Sequence, residues 1–384
     1  MTELSTTNAG FRLGDEGDGV LDIRSRLAML ALTTTEVPSP RVFDTELDRA
    51  VREFQQGRGL TVDGVVGSAT FRSLDEARWQ LGDRLLVFVA GSLLAGDDVM
   101  ALQQRLLDLG FKVGRVDGRF GPQTEHAVKE FQRNIGIPAD GTCGPATLKA
   151  LSRLAPLVKG GSPNAMRAEE RLRRDGPQLT GKVVVIDPGT SRADDPSLRG
   201  LADAVTYDLA KRVEGRLVAT GVQAYLTHRG DGSLDEEQRA EFANRTNAHL
   251  TIALRVDSSE NTDAAGVSTY FYGIDAHDVR SSVGERFAGL VQREIVARTD
   301  LADLRTHARA WDLLRRTRMP AVVIDAGYVT NPGDAARLAD PAFRDVLAEA
   351  IVVAVQRVYL TPETDSHTGV LRLSELREQL RRDA

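Results

Sequence analysis

The sequence predicts an α/β three-layer domain preceded by two small all-α three-helix modules, and three observations point to that architecture. From about residue 183 to residue 326, short apolar runs alternate with helical stretches, the pattern of a sheet covered on both faces. The first 150 residues hold a duplicated unit at an offset of 77. Between these regions, residues 154–178 turn polar, basic and rich in Gly and Pro, the mark of a linker.

The duplication is plainest where AVREFQQGRGLTVDGVVGSATFRSL from Ala50 aligns with AVKEFQRNIGIPADGTCGPATLKAL from Ala127, pairing Phe54 with Phe131 and Asp63 with Asp140. Upstream, VLDIRSRLAML from Val20 aligns with VMALQQRLLDLGF from Val99, each with apolar positions three and four apart. Each unit therefore predicts three short helices closed by a D-G turn, over 12–76 and 90–153. Phe54, Phe131 and Leu148 read as core, and Cys143 as a small filler in a turn.

In the α/β domain, 179–359, strands are expected near 183–187, 222–227, 250–256, 267–273 and 321–326, with a helix over Ala202 to Leu217. The run KVVVIDPG from Lys182 reads as a buried parallel strand ending in a sharp loop, where such sheets place functional side chains. After Val358 the text loses apolar residues, and TPETDSHTG reads as the start of a disordered tail, 360–384.

Composition narrows the function. With 384 residues, 41% hydrophobic and 27% charged, the chain can hold two or three cores as an ordinary globular protein. A net charge of −6 and no basic stripe exclude a nucleic-acid surface. The opening MTELSTTNAGFRLGDEGDG has neither a basic n-region nor an apolar h-region, so a cytoplasmic protein is expected. A single cysteine, Cys143, excludes internal disulfides.

From Gln178 to Tyr359 the chain resembles the zinc N-acetylmuramoyl-L-alanine amidase family, which cuts peptide stems from peptidoglycan. The resemblance rests on VVIDPG, ADAVTYDLAKRVEGRL, YLTHRGDGSLDEEQRAEFAN, LTIALRVDSS, GVSTYFYG and MPAVVIDAGYVTNPGD, in that order. It implies a metal held by two histidines and a glutamate, with a fourth position for water. At those ligand positions stand Thr190, Ala202 and Arg255, and the position of the catalytic glutamate carries Asp325. Thr190 offers a neutral hydroxyl and Ala202 no donor. Arg255 puts a fixed positive charge where a dication would sit, a repulsion of several kcal/mol at about 4 Å and an effective dielectric of ~20. Asp325 retracts its carboxylate by one C–C bond, roughly 1.5 Å. The expectation is a pseudo-amidase with no catalytic residue and no bound zinc.

Arg255 is expected either to serve as counter-charge for Asp187 or Asp325, or to point to solvent; Asp187, Arg255, Asp257 and Asp325 would then outline a residual cleft. A substitute metal site from Asp187, Asp203, His228 and Asp257 lacks ligand spacing, and His228 reads as a surface residue. The N-terminal repeats resemble peptidoglycan-binding modules, which implies loop contacts near Arg119, Gln123 and Asp140. The whole layout is similar to non-secreted regulatory members of the family. That similarity implies a cytosolic phosphoprotein, membrane-associated only through its partners. A membrane Ser/Thr protein kinase would modify its tail at Thr368 or Thr364, and it would stimulate UDP-N-acetylglucosamine enolpyruvyl transferase. Arg372, Arg377, Arg381 and Arg382 would lie within reach of the new phosphate. The alternatives are an active zinc amidase of peptidoglycan turnover, and a non-catalytic module holding a muropeptide or peptidoglycan precursor.

Overall fold

The computed structural model describes residues 10–154, 163–191, 193, 195–229, 234–277, 279–360 and Thr368. They fall into two compact units divided after residue 166, with 275–277 and 279 belonging to the first.

The first unit repeats a three-helix plan: α1 (Asp18–Met29), α2 (Thr45–Gly57) and α3 (Ser68–Ala77), then α4 (Asp97–Asp108), α5 (Pro122–Ile135) and α6 (Pro145–Arg153). Asp44 caps α2 through the Leu47 amide, while α5 and α6 begin on proline, whose missing N–H costs nothing in a first helical turn. Ile23, Leu27, Leu47, Val51 and Phe54 fill the first core. Phe131 is fully buried in the second module and meets Phe111 edge-on at 5.6 Å.

The D-G turns are held from behind by glutamine. Gln132 Nε2 donates to Asp140 Oδ1 at 2.8 Å, Thr142 O at 3.0 Å and Thr147 Oγ1 at 3.1 Å, and its Oε1 accepts from the Gly141 amide at 2.8 Å. Gln55 makes the same set with Asp63, Val65, Thr70 and Gly64, and Gln103 with Asp117, Arg119, Thr124 and Gly118. Arg24 occupies the position that aligns with Gln103, reaching Pro40 O, Val42 O and Asp44 instead. Cys143 does more than fill a turn: its backbone pairs with Leu86, and burial pushes its thiol up to about 12.

The second unit begins within α7 (Pro163–Asp175), a helix that corrects the expectation of a linker over all of 154–178. Its Leu172 is buried in the main core of the α/β domain. There follow β1 (Val183–Pro188), α8 (Pro196–Val218), β2 (Gln223–Leu226), α9 (Glu236–Arg245), β3 (Leu250–Asp257), β4 (Val267–Ile274) and β5 (Val279–Arg280). The chain continues through α10 (Ser282–Arg298), β6 (Asp303–Arg309), α11 (Asp312–Arg316), β7 (Ala321–Tyr328), α12 (Pro332–Ala339) and α13 (Pro341–Val358). The sheet order is β2-β1-β3-β7-β4-β5, with β6 also paired to β4. Strands β2, β1, β3 and β7 run parallel, and β4 joins β7 antiparallel. Residues of α8, α10 and α13 build the large core on one face, while Phe242 and Ala243 of α9 meet Val183 and Val185 on the other. The three-layer arrangement is thus present. No helix of the described residues is long and apolar enough to cross a membrane.

Gln132→Ala should remove a buried clamp and leave the Gly141 amide unpaired, at a cost of about 2 kcal/mol. The measure is the denaturation midpoint read by Trp79 fluorescence in a Trp311→Phe background. Gln104→Ala, which loses only an exposed contact to Asp108, should stay within about 0.5 kcal/mol.

Candidate functional site

Side-chain alternation gathers the site. Val184 and Ile186 of β1, Ile252 and Leu254 of β3, and Val322 and Ile324 of β7 enter the large core. Asp187, Arg255 and Asp325 therefore share the opposite face, at the C-terminal ends of three adjacent parallel strands.

Arg255 and Asp325 are register partners across β3 and β7. Arg255 Nε donates to Asp325 Oδ1 at 2.9 Å and Nη2 to Oδ2 at 3.4 Å. The guanidinium lies 4.1 Å over the Trp311 ring, which in turn meets Tyr270 at 4.6 Å. Burial works against the charge on Arg255, but the field and hydrogen bond of Asp325 outweigh it and hold the guanidinium above its ordinary value. Burial, then Asp325, push the Tyr270 hydroxyl up as well. Gly189 makes room for this arrangement, since a Cβ there would lie 2.7 Å from Arg255 Cγ and 2.9 Å from Leu254 O.

A second ion pair lies beside the first. Asp187, 1% exposed, accepts from Thr227 Oγ1 at 2.5 Å and from Arg239 Nη1 at 3.4 Å. Arg239 comes from α9, donates through Nε to Leu234 O, and brings Nη2 to 3.4 Å from Thr190 Oγ1. His228, expected at the surface, is enclosed instead: its side chain is 7% exposed, with Nδ1 2.9 Å from Thr227 Oγ1 and 3.9 Å from Asp187 Oδ1. Arg239 was not singled out in the sequence, although two buried carboxylates and one evident arginine already called for a second cation.

The remaining expected residues have other duties. Ala202 is fully buried in the large core, where its carbonyl accepts from Thr206. Asp203 accepts from the Ser191 amide, and Asp257 from the Ser258 amide while adding its field to Arg255. A zinc ion needs three convergent nitrogen, sulfur or carboxylate donors. The positions the family would use present a hydroxyl facing Arg239, a methyl group and a guanidinium, so they do not fit the ion. No group of three or more His, Cys, Asp or Glu among the described residues could hold a metal. Both oxygens of Asp325 accept from the Arg255 guanidinium.

In the modules, Asp140 turns its carboxylate to the Thr142 amide and Gln132, which hold it below its ordinary value. Arg119 gives its carbonyl to Gln103, and Gln123 follows it at the start of α5, with Oε1 beside Gly114. Arg119 thus lies in the loop before α5, Gln123 in the first turn of that helix, and Asp140 in the loop that follows it. Thr368 accepts from Arg357, whereas Thr364 and the arginines after Val370 lie outside the described residues, as does the expected disordered stretch.

Residues 184–357 match the N-acetylmuramoyl-L-alanine amidase family, and residues 16–74 and 95–151 match the peptidoglycan binding domain family. The chain is 45% identical over 379 residues to N-acetylmuramoyl-L-alanine amidase CwlM of Mycobacterium tuberculosis, covering 95% of this chain and 93% of that one. It is 25% identical over 175 residues to N-acetylmuramoyl-L-alanine amidase LytC of Bacillus subtilis, covering 45% of this chain and 34% of LytC. Among solved structures, AmiC2 of Nostoc punctiforme aligns at 30% identity and a TM-score of 0.41, over 46% of this chain and 96% of that one. An amidase from Clostridium difficile 630 aligns at 23% and 0.42, over 46% and 96%.

Asp325→Asn should leave Arg255 without its counter-charge and cost about 3 kcal/mol, less than a fully enclosed pair because water reaches the guanidinium. Adding Arg255→Met should return most of that loss. Thermal unfolding followed by Trp311 fluorescence in a Trp79→Phe background checks both.

Proposed function

Because the chain belongs to the N-acetylmuramoyl-L-alanine amidase family yet presents side chains that do not fit its metal, we propose that it is a non-catalytic member acting by contact with other macromolecules. The observation that carries this reading is the Arg255–Asp325 pair, which sets a guanidinium at a ligand position and engages the carboxylate at the catalytic one. The contacts we propose are those implied by the resemblance. The protein stimulates UDP-N-acetylglucosamine enolpyruvyl transferase, and so precursor synthesis, in the cytoplasm, under control of a membrane Ser/Thr kinase that modifies its tail. The matched peptidoglycan binding domains support an association with wall material or its precursors.

A second reading has its own support: the relative at 45% identity bears the name of an amidase. Purified protein separates the two. The regulator should contain far less than one zinc per chain by elemental analysis, release no peptide from muropeptides, and raise the transferase rate when phosphorylated. One tightly held zinc per chain with stem-peptide release would establish the amidase instead. A muropeptide that binds the intact protein without being cut would point to a retained cleft.

A further inference from the structure

Strand β6 closes one end of the sheet: among the described residues it pairs with β4 alone, in parallel, and no strand lies on its other side. Asp303 and Arg305 are exposed and the rest of the strand is half-buried. The pairing is interrupted near its start, where Val267 faces Asp303 but Thr269 faces Thr306, so β6 uses one residue more than β4. Arg305 lies in that bulge at a φ of 67°, a strained conformation for a residue with a Cβ. Beyond it the register is regular, and His307 and Arg309 stand on the cleft face. The His307 ring is 5.7 Å from that of Tyr270, and the Arg309 guanidinium lies 5.6 Å over the same ring, whereas Ala308 packs toward the large core.

The positive charge on this edge is uncompensated. Asp303, the strand's own carboxylate, turns Oδ1 to Gln292 Nε2 at 2.7 Å and to the Arg305 amide at 2.9 Å. Arg305 and Arg309 have no carboxylate partner among the described residues, in contrast to Arg255 and Arg239. Arg309 Nη1 donates to Ala308 O at 2.9 Å, and His307 Nε2 to Leu304 O at 2.7 Å.

We propose that β6 is a docking edge for an acidic, extended segment of a partner protein, which adds a strand outside β6 and sets its carboxylates against Arg305, His307 and Arg309. The inference rests on the reading that this chain acts by contact with other macromolecules, and it names the surface and the chemistry of the partner. A free edge offers the backbone donors and acceptors that hold an added strand, while side chains decide which strand is admitted. Alternate residues of an extended chain lie ~7 Å apart on one face, which is the relation of His307 to Arg309, so a segment acidic at every second position meets both. Like charges placed opposite one another repel, and cations deter apolar edges, so the row excludes basic and purely apolar strands. At the far end of the sheet β2 offers only four uncharged residues, QAYL, and lacks this selectivity.

Fluorescence anisotropy of a labelled peptide in which Glu alternates with Thr, titrated with the full chain, tests this. Binding should saturate, and the same peptide with Lys in place of Glu should not bind. N-methylation of every second amide should abolish binding in one of its two phases and spare the other, because only one set of amides faces the strand. Arg305→Gly suits the positive φ, so its thermal midpoint should hold or rise. It should bind the peptide about threefold more weakly, and together with Arg309→Gln about tenfold. No saturable binding, binding indifferent to both methylation patterns, or full affinity in the double variant would overturn the proposal. Self-association of the chain that the double variant abolishes would also overturn it, since a second copy would then be the occupant. Transferase stimulation and zinc content measured on the same protein keep the two ideas apart. Stimulation without peptide binding removes the docking edge and leaves the regulator; peptide binding by a chain that holds zinc and releases stem peptides does the reverse.

Discussion

The cleft is organised by the need to neutralise Asp325, a carboxylate 2% exposed at the end of a central strand. A metal ion or an organic cation can meet that need. Here Arg255 does so from the register position directly across, in a geometry that engages both oxygens. Its neighbours follow from that choice. Trp311 and Tyr270 cover the flat guanidinium, and Gly189 lets the arginine stem pass close to the backbone. Asp187 repeats the solution with Arg239. Such pairs contribute little net stability over apolar packing, but they are costly to break, so they act as constraints on what the cleft can hold.

The parts of this arrangement that rest on apolar runs were legible in the sequence. VVVI, LTIAL and AVVI each read as strands because both faces of a central parallel strand are covered. DLRTHAR did not, since β6 lies on a half-buried path beside β4 and carries no alternation to betray it. α7 was hidden for the opposite reason: its polar, basic face dominates the composition, and Leu172 is its buried anchor in the core. Spacing allowed Arg255 two partners, Asp187 or Asp325, and only the register of β3 against β7 decides between them. Arg239 could not be paired in advance, because its reach depends on where α9 crosses the strand ends.

In the modules the aligned residues turn out to be architecture. Asp63, Asp117 and Asp140 all accept from a buried glutamine while fixing a D-G turn, so their recurrence reflects how the loop is built. Repetition of a motif shows that a solution is reused, and a ligand contact must be sought in side chains that the loop itself leaves unused. Asp140 does not meet that description, since its oxygen Oδ1 serves both the Thr142 amide and Gln132.

Strand alternation also explains how this fold can carry rewired chemistry. Residues that build the large core and residues that face the cleft alternate along β1, β3 and β7, so a change at position 255 or 325 leaves Leu254, Ile324 and Ala326 where they were. Ala202 is the exception that supports the rule. It sits on α8, and its methyl group lies in the large core at 0% exposure. The residues that build the core and those that line the cleft are thus separate sets, so membership of the family does not dictate which side chains stand at positions 255 and 325.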